Sequence, residues 1–93
     1  MLIISLNNWP HLEELEKTFY EKYSYEQLLA YMAANGIGNY HEYFQDYQNV
    51  IKQYDNLRKK LEQEVIFPSS DNKGGIWEVD FIEKEVKIRE IAD

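Results

Sequence analysis

Between Asn39 and Ile66 the apolar residues recur at helical spacing: Tyr40, Tyr43, Phe44, Tyr47, Val50, Ile51, Tyr54, Leu57, Leu61 and Val65, with no proline or glycine among them. Turned through about 100° per residue, these positions fill one stripe, and Gln, Asn, Asp, Lys and Glu lie opposite. Such a run predicts one uninterrupted amphipathic helix that must bury its stripe, so the rest of the chain has to fold around it. At 1.5 Å per residue it reaches about 40 Å. Asn39 stands at its N-cap with Glu42 three positions on. Phe67-Pro68 predicts its end, because the residue before a proline is driven out of the α region.

Shorter elements precede and follow it. Leu2–Leu6 is β-branched, uncharged and ended by Asn7-Asn8, which reads as a short strand; with both faces apolar it suits a central position in a sheet. Pro10 opens a first helix to about Lys22, with Leu12, Leu15, Phe19 and Tyr23 on one face and Glu13 and Glu14 at the positive end of its dipole. Ser24-Tyr25-Glu26-Gln27 has the form of a capping box and predicts a second helix, with Tyr25, Leu28, Leu29 and Met32 inward. Asn35-Gly36 ends it, and Ile37 is placed for a Schellman-type stop. Ser69–Gly75 has loop composition. Ile76–Ile82 and Glu85–Ile91 alternate with period two and predict a hairpin through Glu83-Lys84, which lacks the glycine a tight primed turn prefers. An isolated hairpin is marginal, so the N-terminal strand is expected to join it. The predicted order is β-α-α-α-β-β. It describes a single α+β domain, residues 1–93, with three helices packed on a small three-stranded sheet.

Composition limits the function classes. The chain has 93 residues, no cysteine and a formal net charge of −7. No disulfide or thiolate metal site staples it, so stability must come from packing two Trp, eight Tyr and four Phe with the aliphatic residues. The negative charge repels nucleic acid and anionic lipid and favours basic partners. Leu2–Leu6 has no basic segment before it and no cleavage site after it, so no signal peptide or membrane span is expected, and a cytoplasmic location follows. Lys outnumbers Arg eight to two, with abundant Ile, Asn and Tyr, a usage that resembles AT-rich bacterial or phage coding.

The residues that could carry chemistry are few. His11 and His41 are the only histidines. Ser69-Ser70 lacks the Gly-x-Ser-x-Gly setting of an activated serine, and no glycine-rich phosphate loop is present. His11 and Glu14 have i,i+3 spacing, but no second pair completes a metal site. Neither a catalytic residue nor a metal or cofactor is therefore expected, and an enzyme is the class least supported.

The tyrosines carry the stronger signal. Tyr has an apolar body and a polar tip and suits surfaces that are half buried at an interface. Tyr43, Tyr47, Tyr54 and Leu61 on the long helix are candidate partner-binding residues. Arg58, in the middle of that stripe, suggests that the far half of the helix leaves the core, because the two shorter helices cannot cover it. Glu13 and Glu14, with Glu78 and Asp80 on the hairpin, are candidate acidic contacts. The expected function is a small acidic protein-binding module, an inhibitor or antitoxin-like partner of a basic or nucleic-acid-binding protein. The alternative is a homodimeric structural or regulatory protein with a winged-helix-like arrangement. In that arrangement Asn39-Tyr40-His41-Glu42 would open a recognition helix whose acids stand where phosphates approach, which disfavours DNA.

Overall fold

A computed structural model describes residues 2–69 and 76–89. From Ser70 on, the loop expected over Ser69–Gly75 lies outside the described residues, as do Glu90 and Ile91 of the final strand. The order is β1 (Leu2–Ser5), α1 (Leu12–Asn35), α2 (Tyr40–Leu61), β2 (Ile76–Asp80) and β3 (Glu85–Arg89). After Leu61 the helical path of α2 continues through a π-helical turn, Glu62–Ile66, into a last α-helical stub, Phe67–Ser69. The fold is α+β with a three-stranded antiparallel sheet.

Among the described residues two long helices are present rather than three. The capping box expected at Ser24 does not form, and α1 runs through it for 24 residues. A cap requires its residue to leave helical geometry, and no glycine or proline near Ser24 drives that. Side-chain pairs one turn apart run up to and across the expected break instead, the Lys22–Glu26 pair spanning it. Lys17 Nζ lies 3.9 Å from Glu21, and Lys22 Nζ donates to Glu26 Oε2 at 3.0 Å. Thr18 is buried and satisfies its hydroxyl on the Leu15 carbonyl at 3.0 Å. α1, at 24 residues, is thus not short beside α2, at 22, although the helical path of α2 runs on to Ser69.

The stop at Asn35-Gly36 is as expected. Gly36 has φ +64°, the left-handed geometry that a residue without Cβ takes freely, and the Ile37 N–H donates to the Met32 carbonyl at 3.1 Å. At the far end, Phe67-Pro68 does not stop the helix. The Phe67 N–H donates five residues back to the Glu62 carbonyl, one residue wider than an α turn. That widening relieves the clash a proline ring makes with the carbonyl four residues before it, so the path continues to Ser69.

The described residues form two compact units, Met1–Glu13 with Lys59–Asp93, and Glu14–Arg58. The first contains the sheet, in the order β1-β3-β2. β1 is thus an edge strand and not the central one. The central place goes to β3, whose Val86 and Ile88 are almost fully enclosed, whereas Leu2 and Ile3 of β1 remain exposed. Register places Ile4, Val86 and Val79 in one row and Leu2, Ile88 and Trp77 in the next, all on one face. Leu6, Trp9, Leu12, Leu61 and Ile66 complete the buried apolar set of this unit.

The β2–β3 turn covers four residues, Phe81–Lys84, rather than the two expected. Asp80 Oδ1 accepts from the N–H groups of Ile82 and Glu83, both at 3.0 Å, and this Asx-type bond starts the turn early. Lys84 closes it at φ +55°, taking the left-handed position a glycine would normally fill.

In the second unit α1 and α2 make an antiparallel hairpin. Phe19 meets Tyr54 and Glu26 meets Tyr47, contacts at matched distances from the turn. Leu15, Leu29, Met32, Val50 and Leu57 are its buried apolar residues.

Candidate functional site

The tyrosine stripe of α2 divides along its length. Tyr47 and Tyr54 face α1. The Tyr47 hydroxyl donates to Glu26 Oε2 at 2.8 Å, and the same carboxylate oxygen takes the Lys22 ammonium. This bond, followed by that of Lys22, holds the Glu26 carboxyl below its ordinary range; it also raises the Tyr47 phenol, whose protonated form it needs. Tyr54 lies against Phe19, with ring centroids 6.2 Å apart. Its ring also has cations from both helices nearby, Lys22 Nζ at 5.8 Å and Arg58 Cζ at 5.6 Å from the centroid. Tyr47, Tyr54 and Arg58 are thus brought together as a polar and aromatic seam that holds the hairpin in register.

Leu61 and the far half of α2 are placed differently from expectation. Leu61 has 0% of its surface accessible and Leu57 only 5%, so the helix does not leave the core beyond Arg58, which is half-buried. The alternation of apolar and charged residues there is that of a helix with one covered face. Tyr43 remains partly open to water, near Tyr40 and Phe44, whose rings stack at 5.9 Å.

Glu13 and Glu14 are exposed in the first turn of α1. Glu78 is exposed on β2, paired in register with Lys87. Asp80 is largely committed to its turn. The Glu83 N–H is the main cause of its lowered carboxyl pKa, with help from Lys87, whose Nζ is 3.5 Å from Oδ2. His11 sits edge-on to Trp9 and 3.9 Å from Glu64. Among the described residues no group of three or more His, Asp or Glu is arranged to hold a metal ion. Among the same residues no helix is long and apolar enough to cross a membrane.

The surface that sequence reasoning missed is on α1. Once Leu12–Asn35 is one helix, Tyr20, Ser24, Leu28 and Tyr31 fall on one stripe. About 100° per residue puts that stripe on the side opposite Leu15, Lys22, Glu26 and Leu29. Tyr31 is 61% exposed and Leu28 38%, with Tyr23 at the margin 56% exposed. Tyr23 and Leu28 were both expected to face inward, on two separate helices. The break assumed at Ser24 split the wheel and hid the second face. An open depression of about 390 Å³ lies on this stripe, lined by Lys17, Tyr20, Glu21, Ser24, Tyr25 and Leu28. Charge changes along the helix. Glu14, Glu16 and Glu21 flank the stripe in its first half, whereas no residue from Gln27 to Tyr40 is Asp, Glu, Lys or Arg. Exposed apolar side chains concentrated on one face are the usual mark of a docking surface.

No family model, curated protein or solved structure matches this chain.

Proposed function

We infer that the chain is a small acidic protein-binding module, acting as an inhibitor or antitoxin-like partner of a basic or nucleic-acid-binding protein. The observation that supports this most is the helical hairpin. Large apolar side chains stay in water along α1, in a chain of net charge −7. Burial of those side chains would supply affinity, and the carboxylates would steer and select the partner. This is a binding role, and we assign the chain no reaction.

Affinity capture tests it. The full chain, immobilised, is exposed to extract of its source cells at low ionic strength, and bound proteins are identified by mass spectrometry. A basic protein should be retained and should leave as salt is raised, because screening shortens the reach of the carboxylates. Retention of acidic proteins alone, or of nothing above a blank matrix, would refute the reading.

A further inference from the structure

We propose that the outward face of α1, between Lys17 and Tyr31, is the docking surface and that its occupant is a basic amphipathic helix of another protein. This rests on the reading of the chain as an acidic binding module and adds the place and the chemistry of recognition.

The shape of the surface favours a helix. Tyr20, Ser24, Leu28 and Tyr31 follow one another at four-, four- and three-residue steps over about three turns, roughly 17 Å, with the small Ser24 between the apolar members, a spacing that a second helix matches with its own i, i+3, i+4, i+7 anchors. The depression between Tyr20, Tyr25 and Leu28 is placed to take one anchor, and Tyr31 with Leu28 offers flat contact for the next.

Charge selects the sign of the occupant. Between Glu14 and Glu26 α1 carries four acids and two bases, Lys17 and Lys22. Each base already lies within 4.0 Å of an acid on the same helix, Glu21 and Glu26 respectively. Glu14, Glu16 and Glu21 stand on both sides of the stripe, where they meet Lys or Arg on the flanks of an incoming helix. A second copy of this chain offers these acids no counter-charge: laid parallel it sets acid against acid, and laid antiparallel it sets them against Gln27–Asn35, which carries no base.

The test uses the full chain, isotopically labelled, and a synthetic 18-residue helical peptide with Leu at the a and d heptad positions and Lys elsewhere. Two control peptides replace Lys by Glu or Leu by Ser. NMR titration should place the largest shift changes on residues 17–31, and both controls should bind at least about tenfold more weakly. Leu28→Asp is the decisive variant, because it adds negative charge and would strengthen purely electrostatic binding; here it should weaken binding about tenfold or more. Tyr31→Ser should act in the same direction, with circular dichroism showing both variants helical. Shift changes centred on β2–β3, or unchanged affinity for Leu28→Asp, would overturn this surface while leaving an acidic binding module standing. Self-association in sedimentation that Tyr31→Ser abolishes would overturn it in favour of a second copy. No binding of the Leu/Lys peptide at low salt would overturn it too, and the capture experiment would then decide the broader reading separately.

Discussion

Leu61 separates two accounts of α2. The spacing of its stripe placed Leu61 on a partner-facing surface, whereas the structure encloses it completely. Replacing Leu61 by Ala removes apolar atoms that make contacts on all sides and leaves a cavity, at a cost of about 3 kcal/mol within the usual range for such sites. A chain of 93 residues has a total stability on the order of 5–14 kcal/mol, so the variant should fold with a much reduced margin. With a urea dependence of about 1 kcal/mol per molar for a domain of this size, the unfolding midpoint should fall by about 3 M. Equilibrium urea unfolding followed by Trp fluorescence and by helical circular dichroism measures it. Leu61→Met, which conserves volume, should lose less than about 1.5 kcal/mol and covers the case in which the alanine variant does not fold. Tyr43→Ala, at a position still 38% exposed, is the comparison and should move the midpoint by less than about 1 M. A midpoint for Leu61→Ala within about 0.5 M of the parent would refute the enclosure of Leu61 and return it to the surface.

Three further outcomes follow from local geometry. Tyr47→Phe removes the 2.8 Å bond to Glu26 and should destabilise by about 1 kcal/mol, and in a double-mutant cycle with Glu26→Gln the two losses should not add. Because the Glu26 carboxyl is held below its usual 4.5, its contribution is present above that value and lost as pH falls through the lowered one. Unfolding midpoints measured from pH 6 down to pH 3 should therefore fall less for Tyr47→Phe than for the parent. Asp80→Ala should speed hydrogen exchange at the Ile82 and Glu83 amides, which lose their acceptor, and unchanged protection would count against the turn as described. Lys84→Gly should raise stability by about 0.5–1 kcal/mol, since glycine takes φ +55° without a Cβ penalty; calorimetry showing a loss would place the strain elsewhere.

Much of the candidate site was hidden in the sequence for an identifiable reason. Ser24-Tyr25-Glu26-Gln27 satisfies the pattern of a capping box, yet the same residues are compatible with helix interior, and nothing within one turn distinguishes the two. Once the helix is read as broken, Tyr23 is assigned inward with Leu15 and Leu28 inward with Met32. Both then vanish from any list of exposed apolar residues. The tyrosines of α2 show the converse. Their periodicity located the stripe, but Tyr47 and Tyr54 are half-covered by Glu26, Lys22 and Phe19, partners two or three dozen residues away.

Local chemistry by itself determined the stripe of α2, the stop at Asn35-Gly36-Ile37, the alternation of β2 and β3 and the acidic charge, because each depends on backbone preferences or spacing within a few residues. Tertiary structure alone decided that β3 and not β1 is central and which aromatic rings remain in water. Those choices lie between local alternatives of similar free energy, and burial against residues distant in sequence tips them.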